Sequence, residues 1–190
     1  MLKITKLNNN LLKEALNNLP KNYLEGLYSK INYKESIISR YLIYKYGGFL
    51  PEINKNGIPI SHKNNYWSIS HKKGLVFIGT GNNPIGIDIE IMVPRGEEIF
   101  SIHKEEEYEL IGGKSLENFY RLWTIKESII KLNLSGIDLI NKINLEKIRK
   151  IENKIDIINF DLEINGSFLG INFICFNGRD GDLVYSFSKY

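Results

Sequence analysis

The order of apolar patterns along this chain predicts an α+β protein built from two similar halves. Each half is a small antiparallel three-stranded sheet with packed helices, and a pseudo-two-fold axis relates the two. Three observations predict this. Helical periodicity followed by three short strands occurs once and then recurs in the same order. The turns between strands are too short for anything but antiparallel neighbours. No Pro/Gly/Ser-rich linker, fixed-period repeat or low-complexity tract separates the parts. The joint falls near residues 85–100, which gives an N-terminal half of 1–85 and a C-terminal half of 86–190.

In chain order, residues 9–19 and 33–46 are expected to be helical. The second has Ile37, Ile38, Tyr41, Leu42 and Tyr44 close to helical spacing and stops at Gly47-Gly48. Asn56-Gly57 signals a turn. Strands are expected at Tyr66–Ser70, Leu75–Thr80 and Ile85–Glu90. His71-Lys72-Lys73-Gly74 joins the first two, and Gly81-Asn82-Asn83-Pro84 the last two. Residues 104–111 predict a short helix and 115–133 a long one, with Leu116, Phe119, Leu122, Trp123, Ile129 and Ile130 as its apolar stripe. A helical segment is expected near 141–150. Strands at 154–163, 167–176 and 182–188 follow, with Asn165-Gly166 and Gly178–Gly181 as turns.

The chain has 190 residues, 43% of them hydrophobic and 25% charged, so it can bury a core and does not read as disordered. Net charge is +3, a mild excess compatible with a phosphate-rich substrate or an acidic protein partner. There is no basic stripe interleaved with aromatics and no recognition motif, so a nucleic-acid partner is not expected. The one cysteine, Cys175, allows no intrachain disulfide, and the first residues carry no apolar core of signal-peptide length. No run approaches the roughly 20 apolar residues that span a bilayer. A soluble cytoplasmic protein is expected.

Three stretches can carry chemistry. In Gly86-Ile87-Asp88-Ile89-Glu90, residues two apart share a strand face, so Asp88 and Glu90 stand side by side while Ile87 and Ile89 face a core. Adjacent carboxylates repel unless a cation sits between them, and oxygen ligands suit Mg²⁺ beside phosphates. The plainer account is an edge strand with a solvated acidic face. In Trp123-Thr124-Ile125-Lys126-Glu127-Ser128-Ile129-Ile130-Lys131, Trp123, Glu127 and Lys131 form one helix stripe. They are either a core Trp with a surface Glu–Lys pair, or a third carboxylate or base (Glu127) with lysines for phosphates (Lys126 and Lys131). In Trp67-Ser68-Ile69-Ser70-His71, a strand runs into a tight turn where a hydroxyl, an imidazole and backbone N–H groups can meet an anion. Sequence neighbours on a strand point to opposite faces, which argues against a Ser/His hydrolase dyad.

Taken together and in this order, WSISH, GIDIE and WTIKESIIK resemble the Sfp-type 4′-phosphopantetheinyl transferases over roughly residues 33–137. The resemblance implies the 4′-phosphopantetheinyl transferase fold, and the twice-repeated order of helices and strands, which lets one chain build its cleft internally, predicts a monomer. The resemblance also implies transfer of the phosphopantetheine arm of coenzyme A to a serine of an apo acyl, peptidyl or aryl carrier protein, with release of 3′,5′-adenosine bisphosphate. By that resemblance Asp88, Glu90 and Glu127 are Mg²⁺ ligands. Glu127, Lys131 and Glu107 are catalytic, and Ser70, His71, Lys126 and Arg40 hold coenzyme A. Glu107 is one of three consecutive glutamates, Glu105 to Glu107.

Two departures stand out. Where the family often has Asn-Gly-Lys-Pro, this chain has Asn56-Gly57-Ile58-Pro59, and Ile58 cannot contact a phosphate through charge. Where the family often has Arg-Ser-Leu-Leu-Gly-Arg, it has Glu35-Ser36-Ile37-Ile38-Ser39-Arg40, keeping only the second arginine. Lys34, Lys55 or Lys63 are the available substitutes. The competing readings are another Mg²⁺-dependent phosphoryl transferase and a non-catalytic module that binds coenzyme A or a carrier.

Overall fold

The computed structural model describes residues 1–28, 32–55 and 58–190. The Asn56-Gly57 turn lies outside the described residues. The N-terminal part comprises β1 (Leu2–Lys6), α1 (Asn9–Asn18), α2 (Lys21–Tyr28), α3 (Tyr33–Gly47), the short strands β2 (Glu52–Ile53) and β3 (Pro59–Ile60), β4 (Tyr66–Lys72) and β5 (Leu75–Gly81). β6 (Ile85–Ile91) leads into a 3₁₀ turn at Glu97–Ile102, α4 (Glu105–Ile111) and α5 (Leu116–Leu132). A second 3₁₀ turn at Ile137–Lys142 precedes β7 (Ile143–Ile155), β8 (Ile158–Phe168), β9 (Ile171–Asp180) and β10 (Leu183–Lys189).

The class is α+β with antiparallel sheets, as expected. One sheet has three strands in the order β1-β5-β4. The other has five rather than three, in the order β6-β10-β9-β8-β7. The extra members are β6 and β7. β6 was expected to pair with the Leu75–Thr80 strand. Instead β5 takes β1 on one edge and β4 on the other, and β6 pairs with β10, Ile87 opposite Phe187. The reason is facial packing. A Cβ added at Gly79 of β5 would meet Ile85 Cδ1 at 3.0 Å and Ile87 Cγ2 at 3.2 Å, so β6 crosses the face of β5 rather than its edge.

The two sheets enclose a core of Leu2, Phe77, Ile85, Ile87, Ile89, Phe160, Phe176, Tyr185 and Phe187. On the outer face of the larger sheet, α4 and α5 bury Tyr108, Leu122, Ile125 and Ile129 against Ile164, Cys175 and Val184. On the outer face of the smaller one, α3 packs Ile38, Leu42 and Ile43 on Trp67, Val76 and Ile78. The order is therefore helix, sheet, sheet, helix.

Three local expectations are corrected. The segment near 141–150 is not helical but forms β7. Its strand pairing with β8 breaks at two irregularities, between Leu145 and Lys147 and between Lys150 and Asn153. Each shifts the in–out alternation, so Ile148, Ile151 and Ile155 acquire helix-like spacing within a strand. Asn165-Gly166 is not a turn. β8 runs through it and turns at Leu169 and Gly170, both at positive φ (51° and 82°). Gly166 is needed for close approach, since a Cβ there would lie 2.2 Å from Asn144 O. Gly178 likewise lies inside β9, opposite Tyr185, and the turn comes at Gly181.

Candidate active site

The site forms where β4 passes β6 without a backbone ladder. On β4, Ser68, Ser70 and Lys72 share a face by period-two alternation, and all three reach β6. Ser68 Oγ accepts from Ile87 N at 3.2 Å, Ser70 Oγ donates to Asp88 Oδ1 at 2.8 Å, and Lys72 Nζ donates to Glu90 Oε1 at 3.0 Å. Numbers rise together along both strands, so β4 and β6 run the same way across this side-chain seam. The opposite face of β4 puts Trp67 in the helix-side core and leaves His71 exposed, with Ser70 and His71 pointing apart.

On β6, Gly86, Asp88 and Glu90 face α5. Gly86 permits this contact, since a Cβ there would lie 1.8 Å from Ser128 O and 2.5 Å from Leu132 N. With no side chain in between, α5 rests directly on the strand, and its next turns stand over the two carboxylates. Lys131 Nζ donates to Asp88 Oδ1 at 2.6 Å and to Ser70 Oγ at 3.2 Å. The partner of Lys131 is thus Asp88, across the contact, rather than Glu127 one turn back on its own helix. Glu127 is half-buried. Burial pushes its pKa up, the charge of Asp88 adds to that, Lys131 works against it, and Glu90 adds a further increment. Asp88 is buried, and its Oδ2 has no hydrogen-bond partner among the described residues.

Three of the expected site residues therefore converge with Glu127: Asp88, Ser70 and Lys131, with Glu90 alongside. Among the described residues, however, no three His, Cys, Asp or Glu side chains stand close enough to close around one ion. Lysines occupy Asp88 and Glu90 instead.

The structure puts the other expected residues elsewhere. Lys126 lies about 140° around α5 from Lys131 and is fully buried, its Nζ 2.6 Å from Glu107 Oε2. Glu107 also accepts from Lys104 N at 2.9 Å and so caps α4. Burial lowers the pKa of Lys126, and Glu107 opposes the shift. These two expected site residues meet each other, inside the half, beside the buried ring of His103. Arg40 is buried within the helices of the N-terminal half, where its Nη1 donates to Ser36 O at 3.2 Å and Ser36 Oγ at 2.7 Å.

Sequence reasoning missed two groups. Lys72 was read only as a turn residue, although it lies two positions from Ser70 and so shares its face. The second group is the polar underside of α5. Arg121 reaches Asp161 Oδ1 at 2.9 Å and Asn177 Oδ1 at 2.5 Å. Asn177 donates to Thr124 Oγ1 at 3.2 Å and Ser186 Oγ at 2.9 Å, and Ser128 Oγ lies 2.6 Å from Ser188 Oγ. Directional bonds of this kind fix how far α5 slides over β10, and hence where Glu127 and Lys131 stand. A cleft of about 280 Å³ adjoins the cluster, lined by Lys72, Glu90, Arg95, Phe119 and Trp123 among others.

Residues 84–176, from just before β6 into β9, match the sequence profile of the 4′-phosphopantetheinyl transferase superfamily. The chain is 34% identical over 109 residues to the 4′-phosphopantetheinyl transferase gsp of Aneurinibacillus migulanus, covering 51% of this chain and 45% of that protein. It is 37% identical over 83 residues to the 4′-phosphopantetheinyl transferase ffp of Bacillus subtilis, covering 40% and 36%. The chain thus spans less than half the length of these curated relatives. No helix among the described residues is long and apolar enough to cross a membrane.

Proposed function

We propose that this chain transfers the 4′-phosphopantetheine arm of coenzyme A to a serine of an apo carrier protein, acting as a monomer whose two halves form the cleft. The observation that carries this reading is the unbalanced carboxylate cluster at the seam. Asp88 Oδ2 is buried with no partner among the described residues, and burial with the charges of Asp88 and Glu90 raises the pKa of Glu127 from its ordinary value against the pull of Lys131. By its chemistry such a donor set suits a hard divalent cation, which would have to displace the lysines and draw the carboxylates together. Asp88, Glu90 and Glu127 would hold Mg²⁺, which when bound neutralises the pyrophosphate of coenzyme A.

The rest is the work of the chain's own groups. The carrier serine Oγ attacks the β-phosphorus of coenzyme A. The new P–O bond forms as the bond to the bridging oxygen breaks, and 3′,5′-adenosine bisphosphate departs with that electron pair. The serine proton goes to a carboxylate, and Glu127, set on α5 beside Asp88 and Glu90, is the candidate base. Lys131, already turned toward the cluster, stabilises charge developing on the leaving group. Ser70 orients Asp88, and the Lys126–Glu107 pair acts at one remove by anchoring α4 to α5. The mild positive charge suits the acidic surface expected of a carrier.

The test is incubation with coenzyme A, Mg²⁺ and a panel of apo carrier proteins. A mass gain of one phosphopantetheine on a serine, with 3′,5′-adenosine bisphosphate released, supports the reading. Binding of coenzyme A with no transfer to any carrier would instead favour a non-catalytic module, the outcome that Ile58 and Glu35 keep open.

A further inference from the structure

Lys72 lies outside every motif that carries the resemblance, yet it is the nearest cation to Glu90. Its Nζ sits 3.0 Å from Glu90 Oε1 and 2.8 Å from Oε2, so one ammonium covers both oxygens. The position is built rather than accidental. Lys72 is the last paired residue of β4, opposite Leu75, and closes a two-residue hairpin whose Lys73 and Gly74 both have positive φ (44° and 78°). The strand alternation that sends Ser68 and Ser70 to β6 sends Lys72 there too. Glu90 is only 15% exposed at the side chain, so its charge is poorly served by water and leans on this lysine. The neighbouring carboxylates are placed differently. Asp88 shares one oxygen with Lys131 and Ser70, and its Oδ2 has no partner among the described residues.

We propose that Lys72 is the resident counter-ion of Glu90 and competes with the divalent cation for that carboxylate, so that Lys72 sets the metal affinity of the site. This rests on the assignment of Asp88, Glu90 and Glu127 as the metal's ligands. Ion uptake requires the ammonium to leave Glu90, and the adjoining cleft, which Lys72 itself lines, gives it room to turn away. A dication repels an ammonium, and with Lys72 turned toward water in the cleft this weakens binding about tenfold. The lysine thus pairs with Glu90 when no ion is bound and makes occupancy reversible.

The experiment titrates the whole chain with Mn²⁺ alone, without coenzyme A, and measures free ion by electron paramagnetic resonance. Far-UV circular dichroism checks that each variant is folded. Lys72→Gln removes the charge at similar length and is expected to tighten Mn²⁺ about tenfold. Lys72→Arg keeps the charge and is expected to stay within threefold of the parent. Lys73→Asn makes the same net-charge change one residue away, on the exposed turn, and is expected to move the Kd less than twofold. A Lys72→Gln Kd within twofold of the parent, or weaker, overturns the proposal. So does an equal gain in Lys73→Asn, which would make the effect one of overall charge. If neither parent nor Lys72→Gln takes up Mn²⁺, the proposal falls together with the ligand assignment. An unchanged Kd alongside intact phosphopantetheine transfer removes the role of Lys72 alone.

Discussion

Replacing Gly86 with alanine tests the contact on which the site is built. The added methyl would stand 1.8 Å from Ser128 O, whereas real Cβ atoms essentially never come under 3.0 Å, so α5 and β6 must part by more than an ångström. The obstacle is backbone, so no rotamer change relieves it. Nor is the helix free to lift, since Arg121–Asp161 and Ser128–Ser188 tie it to the sheet. Overpacking usually costs 1–3 kcal/mol, and a backbone collision belongs at the upper end, about 3 kcal/mol. With a urea dependence of about 2 kcal/mol per molar, the unfolding midpoint should fall by about 1.5 M. Trp67 and Trp123 report the transition by fluorescence. Transfer activity should fall as well, because Glu127 and Lys131 move with the helix. Gly26→Ala is the control of opposite sign. Among the described residues nothing lies within 4 Å of its added Cβ, and a glycine-to-alanine change within α2 should stabilise by about 0.5–1 kcal/mol. An unshifted Gly86→Ala midpoint with full activity would refute the close-contact argument.

Lys131→Met leaves Asp88 buried with Ser70 as its remaining partner, which should cost about 1–3 kcal/mol of stability and slow transfer on the order of 30- to 1,000-fold; a rate within twofold of the parent in a steady-state assay would sink the assigned role. Lys126→Met strands Glu107 and should destabilise by about 3–5 kcal/mol, while Lys126→Met with Glu107→Gln should recover part of that, as a double-mutant cycle in urea will read. His103 is buried, and burial, reinforced by the charge of Lys126, pushes its pKa down to about 3. The ring stays neutral in the fold while the unfolded chain takes up a proton below about pH 6.5. Stability from this group is therefore complete above 6.5 and is lost as pH falls toward 3, about 2 kcal/mol of it by pH 5. His103→Phe, set among the rings of Tyr108, Phe119 and Trp123, should lessen the acid sensitivity; identical urea-stability slopes between pH 7.5 and 5 in both chains would contradict this.

Much of the site was legible because it depends on short-range periodicity. The two-residue repeat sets Asp88 and Glu90 on one face, and the helix repeat puts Glu127 and Lys131 on one stripe. What period alone could not supply was partnership. Lys131 turns to Asp88 rather than Glu127 because α5 lies on Gly86, a tertiary fact. Lys72 reaches Glu90 only because β4 and β6 run side by side, and no local pattern announces that β6 leaves β5 for β10. Lys126 follows the same logic in reverse. Its place in the sequence motif suggested a phosphate, but its angle on α5 sends it inward to Glu107. Strand β7 was misread for a different reason. Its two irregularities converted a two-residue repeat into the three- and four-residue spacing of a helix.

Those same irregularities bear on how the larger sheet ends. β7 is its outermost strand, and a terminal strand offers a row of open amides and carbonyls that another chain can extend. Here the row is broken twice, after Leu145 and after Lys150. Exposed Glu146, Lys147, Arg149, Lys150, Glu152 and Lys154 place both signs of charge along it. A foreign strand would lose register within a few residues and bury mismatched charge as it docked. The strand that misleads a reader of the sequence thereby guards the protein against templated aggregation.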